Sequence, residues 1–163
     1  MCIRDRVIAI AERPGPVRCA KGLEIIATHA TADSPALDLL VVPGGRGVRT
    51  EIGNKRLLYW IAGRGAGSKF TASVCTGSGL LVEAGVAKGK RVTSHWSYLK
   101  TLRERGDCTV VGDERFVVDG QVVTSAGVSA GIDMALWLTA QLWSVEHARA
   151  TRRRIEYDPA PPI

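Results

Sequence analysis

Cys75 is the residue of this chain best placed for covalent chemistry. It closes an apolar, β-rich run, Phe70-Thr71-Ala72-Ser73-Val74, and is followed at once by Thr76-Gly77-Ser78-Gly79 and a helical run, Leu80-Leu81-Val82-Glu83-Ala84. A strand that stops at a nucleophile and turns straight into a helix has the layout of a nucleophile elbow. Small neighbours permit the tight turn, and the turn lifts the side chain clear of the sheet edge. The first N–H groups of the new helix favour a thiolate and can hold a developing oxyanion. The competing reading is a structural cysteine buried at a strand end, since free cysteine is among the most buried residue types.

A second glycine loop, Pro43-Gly44-Gly45-Arg46-Gly47, closes the apolar run 38–42. Ligand sites of doubly wound sheets form at the carboxyl ends of strands. If the two strands are neighbours, the N–H groups of Gly45 and Thr76 converge beside the Cys75 sulfur. Glycine at 44 and 45 lets the backbone approach a ligand closely or take φ > 0. A plain strand-to-helix turn would look the same. Ser125 and the stretch 127–131, including Gly131, are candidates for the pocket lining, and Arg46 is a candidate contact for a polar substrate or a solvated loop arginine. His95 follows a short strand and is a further pocket candidate, which reads as a structural or dimer-facing histidine more than as a base. Asp133, early in the last helical run, reads as a capping carboxylate. Cys19 and Cys108 have no glycine elbow and read as inert. Trp60, Trp96, Trp137 and Trp143 read as core or interface packing.

These residues must be positioned by alternating strands and helices. Strands are expected at 7–12, 23–28, 38–42, 70–74, 91–93, 108–111, 116–118 and 121–124, with Asp119-Gly120 as a tight hairpin between the last two. Helices are expected at 50–62, from about 78 to a glycine stop at Gly85, at 97–105 with Gly106 as the stop, and as one long run over 132–154. This alternation argues for a single α/β domain. The 163 residues, 45% of them hydrophobic, are enough for one real core. No apolar stretch approaches a membrane span, and no signal-peptide h-region is visible. The four cysteines show no CxxC or metal-type spacing, so a reduced, cytoplasmic setting without a metal is expected. The net charge is +6, and part of the excess lies in Arg149, Arg152, Arg153 and Arg154. No recognition motif accompanies that patch, so nucleic acid is not an expected partner.

Four segments, in order, give the chain from about residue 7 onward a resemblance to the ThiJ/PfpI family of the class I glutamine-amidotransferase-like superfamily. They are residues 38–45, 73–77, 89–96 and 123–133. The tail Ile155-Glu156-Tyr157-Asp158-Pro159-Ala160-Pro161-Pro162, and Cys-Thr rather than Cys-His at the elbow, look most like its isonitrile hydratase branch. The resemblance implies a flavodoxin-like, doubly wound, mostly parallel sheet, usually a homodimer, and a small-molecule substrate with no metal or organic cofactor. It makes Cys75 the nucleophile, gives oxyanion-type donors to the backbone of Thr76 and of Gly44-Gly45, and places the Thr76 hydroxyl at the reacting centre. Related roles on this fold are the ligand-sensing domain of a transcription regulator and a glyoxalase-, deglycase- or chaperone-like stress protein.

The sequence departs from the family at its start. The family's first strand–helix unit, which carries an acid beside the cysteine, has no counterpart here; Asp38, Glu24, Glu51 and Glu83 do not replace it. Residues 1–6, Met-Cys-Ile-Arg-Asp-Arg, match the translation of a transposon-end sequencing adapter and are expected to be an artefact. The expected division is therefore residues 1–6 as adapter, 7–154 as a partial domain and 155–163 as a Pro-rich tail, with weak stability and little hydratase turnover.

Overall fold

The computed structural model describes residues 6–158. The expectations for residues 1–5 and for the tail from residue 159 lie outside them.

A four-stranded sheet, ordered β5-β6-β10-β9, carries the molecule: β5 (Leu39–Val42), β6 (Phe70–Val74), β10 (Val122–Ser125) and β9 (Phe116–Asp119). The first three run parallel, and β9 returns antiparallel through the Gly120 turn, where φ is +64°. The register pairs Val42 with Ser73 and Ser125 with Val74, so the strand tips that bear the glycine loop, the cysteine and Ser125 end level. Three further strand pairs stand apart from this sheet: β1 (Ile10–Ala11) parallel with β4 (His29–Ala30), the hairpin of β2 (Gly15–Arg18) and β3 (Glu24–Ala27), and β7 (Arg91–Val92) parallel with β8 (Thr109–Val110).

Alternation along the strands builds two cores. On one face Leu40, Val42 and Val122 pack with Ile61, Leu81 and Leu102 from α2 (Lys55–Gly67), α3 (Ser78–Glu83) and α4 (Leu99–Arg105). On the other, Ala72 and Val123 pack with Met134 and Leu138 of α5 (Val128–Leu142). Helices on both faces of a mainly parallel sheet make this a flavodoxin-like α/β fold. Val41 shares the α5 face with Ala72 but stays 46% exposed at the sheet edge.

Capping residues redraw two helices. The helix expected at 50–62 is a short α1 (Val48–Glu51) followed by α2, because the Asn54 side chain accepts from Leu57 N–H at 3.2 Å and starts a new helix. The long run 132–154 is also two helices. α5 begins earlier than expected, at Val128, and ends at Leu142. Ser144 then caps α6 (Val145–Arg154) by accepting from His147 N–H at 3.1 Å. Apolar periodicity runs through both junctions; the local hydroxyl or amide acceptor decides the break. Gly85 and Gly106 close their helices at φ +78° and +74°, as expected.

Candidate active site

Cys75 sits at the tip of β6 with φ 58°. A side-chain-bearing residue in the left-handed region costs energy and needs surrounding structure to hold it. That structure is backbone and small side chains. Cys75–Gly77 form a 3₁₀ turn that runs directly into α3. A Cβ on Gly77 would lie 2.4 Å from the Val42 carbonyl oxygen, and one on Gly44 would lie 2.7 Å from Thr76 N and 2.9 Å from Cys75 Cβ. Only glycine at both positions lets the β5 loop and the cysteine turn pack together. Behind the turn, the Ser94 hydroxyl donates to the Cys75 carbonyl at 2.9 Å and the Ser78 hydroxyl to the same oxygen at 3.3 Å. Ser78 is one of the elbow's small residues, whereas Ser94 does not stand out in the sequence, although it lies in a segment that carries the resemblance; a hydroxyl following a short strand is too common a signal.

The Thr76 hydroxyl is engaged with the facing loop. It accepts from Gly45 N–H at 2.9 Å and is placed to donate to the Gly45 carbonyl at 3.3 Å. This two-point pin fixes the glycine loop over the elbow, and Gly45 takes φ +131° there. The Gly45 N–H is therefore occupied by Thr76, where the sequence reading has it converging on the reacting atom.

The other candidates divide. Gly131, in the first turn of α5, packs on the elbow: a Cβ there would meet Val74 Cγ1 at 3.2 Å. Ser125 is fully buried and donates to the Ser73 carbonyl at 3.2 Å, so it ties the tip of β10 to β6. Arg46 is exposed on the loop. His95 follows Ser94, and its Nδ1 accepts from Ser97 N–H at 3.3 Å, capping the turn Trp96–Tyr98, with the Ser97 hydroxyl 2.8 Å from the same nitrogen. Asp133 does not cap α5. It pairs with Arg115 and accepts from the Tyr157 hydroxyl at 2.9 Å, tying the chain after α6 to the start of α5. Trp60 and Trp137 pack on the two cores as expected, whereas Trp96 is 78% and Trp143 52% exposed.

Among the described residues, no carboxylate is hydrogen-bonded to Cys75 or Thr76. Glu12 and Glu51 bond to Asn54, and Glu83 pairs with Arg105. At Cys108, burial and, next, the Asp107 charge push the thiol above the usual value, which disfavours a thiolate there. The described residues contain no cluster of three or more His, Cys, Asp or Glu able to hold a metal, and no helix long and apolar enough to cross a membrane.

The DJ-1/PfpI family model matches residues 5–141. The isonitrile hydratase of Pseudomonas putida is 40% identical over 148 residues, which cover 91% of this chain and 64% of that enzyme. The HTH-type transcriptional regulator GbdR of Pseudomonas aeruginosa is 31% identical over 82% of this chain and 35% of its own length. The crystal structure of a ThiJ/PfpI family protein from Pseudomonas syringae superposes with TM-score 0.89 at 35% identity, covering 97% of this chain and 65% of that one. The chain thus spans just under two thirds of the hydratase and of this solved structure.

Proposed function

The chain belongs to the DJ-1/PfpI family, and on that premise we propose that it is the Cys75-bearing part of an isonitrile hydratase-like enzyme. The observation that carries the reading is Cys75 itself, held at φ 58° at a strand tip with the Gly44 backbone against it. The 40% identity to a hydratase supports the choice of reaction. In the proposed chemistry the Cys75 thiolate attacks the terminal isonitrile carbon. A proton delivered to that carbon gives a thioimidate, R–N=CH–S–Cys75. Water then adds to the same carbon, the C–S bond breaks, and an N-substituted formamide leaves with the thiol restored. No metal or organic cofactor enters these steps. Homodimer assembly belongs to the same proposal and is checked by the solution mass.

The first half-reaction needs only the thiolate and a proton, so it is the step to test on this chain. Incubation with an aryl isonitrile should add the mass of one isonitrile to the Cys75 peptide, and Cys75→Ser should abolish the adduct. Formamide release that persists in Cys75→Ser would sink the reading. A second reading, a ligand-sensing domain, is favoured by the 31% identity to a transcriptional regulator. It requires reversible small-molecule binding that survives Cys75→Ser.

A further inference from the structure

Nine serine and threonine side chains are buried among the described residues, and all but two of their hydroxyls have a hydrogen-bond partner there. Thr71 donates to the Gly65 carbonyl at 3.2 Å, Ser125 to the Ser73 carbonyl at 3.2 Å, and Ser94 and Ser78 both to the Cys75 carbonyl. The two left over are Ser73 Oγ and Thr93 Oγ1, each on a residue with 0% exposure. They belong to one place in the fold. Ser73 lies between Val42 of β5 and Thr124 of β10, and the register puts these three side chains on the sheet face that packs on α3 and α4. Thr124 Oγ1 accepts from Thr93 N–H at 2.8 Å. One residue further on, Ser94 reaches the Cys75 carbonyl at 2.9 Å. The backbone of 93–94 is therefore laid across the tips of β10 and β6, and Ser73 and Thr93 are the two neighbours of the Thr124 hydroxyl. Serine is the smallest side chain of the row Val42, Ser73, Thr124, which leaves room beside it.

We infer that one buried water binds behind the elbow, hydrogen-bonded to Ser73 Oγ and Thr93 Oγ1 and accepting the proton that Thr124 Oγ1 keeps. A buried hydroxyl without a partner is costly, and native proteins satisfy such groups with ordered water where two to four polar atoms surround it. Three neutral hydroxyls that both donate and accept suit a water and give an ion no countercharge. Bound there, the water ties the 93–94 segment to β6 immediately behind the turn that carries Cys75. The inference is independent of any nucleophilic role for Cys75.

The test counts waters and measures coupling. Oxygen-17 magnetic relaxation dispersion should find one fewer long-lived water in the double variant Ser73→Ala/Thr93→Val than in the unaltered chain, and Thr93→Ser should retain it. In chemical denaturation each single change, Ser73→Ala or Thr93→Val, should lower the folding equilibrium constant by about tenfold, because it strips the water of one partner. The double variant should lose less than the product of the two, by roughly fivefold or more. An unchanged water count in the double variant overturns the inference, even with coupling, since the two hydroxyls would then bond each other directly. Losses that simply multiply overturn it as well. If a single variant fails to fold, a high-resolution crystal structure of the unaltered chain decides: a water within about 3.2 Å of both oxygens is the expected result, and a direct hydroxyl–hydroxyl bond or a site without density overturns the inference.

Discussion

At Cys75 the backbone takes φ 58°, and the neighbours that tolerate it are glycines. Gly44 is the most exacting of them, because a Cβ there would meet Thr76 N and Val74 O, both at 2.7 Å, and backbone atoms cannot rotate away. Gly44→Ala should therefore destabilise the protein by roughly 1–3 kcal/mol, as overpacking does, and slow Cys75 labelling; thermal denaturation and alkylation rates check the two effects. Thr76 acts at the same scale by a different means. Its hydroxyl holds both the N–H and the carbonyl of Gly45. Thr76→Val keeps the shape and loses the pin, so it should cost about 1 kcal/mol and accelerate hydrogen exchange at the Gly45 amide, whereas Thr76→Ser should restore both. The cysteine, the two glycines and the threonine were all legible in the sequence, because a nucleophile elbow is a local pattern. Ser94 was not, because its partnership with the Cys75 carbonyl joins residues nineteen positions apart.

Between elements, side chains at strand ends decide how the pieces fit. Asp119, the last residue of β9, accepts from Arg91 N–H at 2.9 Å and from Lys90 Nζ at 3.4 Å, which fixes β7 beside the main sheet. The Arg91 backbone hydrogen bond, followed by the hydrogen bond and charge of Lys90, holds this carboxyl below its ordinary value. A depressed carboxylate contributes stability that is fully present above the unfolded pKa, about 4, and is lost as the pH falls through the folded value. Asp119→Asn should remove that portion of the acid dependence, which pH-dependent chemical denaturation below pH 4 would measure. Helix ends follow the same logic. Asn54 and Ser144 each accept an N–H three residues on and so divide runs whose apolar spacing alone reads as continuous. At the far end of α6, Tyr157 and Arg115 converge on Asp133, so a carboxylate that looks like a cap becomes the knot between two helices and β9.

For the molecule as a whole, β6 and β10 are the strands enclosed on both sides, while β5 is an edge and β1–β4 and β2–β3 are separate small sheets. Native-state hydrogen exchange should be slowest at Ala72, Ser73, Val123 and Thr124, all fully buried, and should pass through β5 to its fastest at β1–β4 and β2–β3. Uniform protection across the four sheets would contradict this ordering. The apolar residues left in water point the same way: Val41 on the edge strand, and Ile25 and Ile26 on the hairpin, where adjacent positions face opposite sides. The sequence by itself determined the alternating α/β plan, the nucleophile elbow, the glycine loop that faces it and the family, because each is written in residues close together along the chain. Only the tertiary structure decided which hydrogen bonds those groups keep. Gly45 N–H went to the Thr76 hydroxyl, Ser125 was buried between strands, and Trp96 was left exposed. Such outcomes depend on which distant backbone arrives alongside, and neither residue type nor spacing encodes that. The same holds for the elbow itself: the pattern around Cys75 marked a turn, and the packing of Gly44 and Gly77 against it is what holds the cysteine at a positive φ.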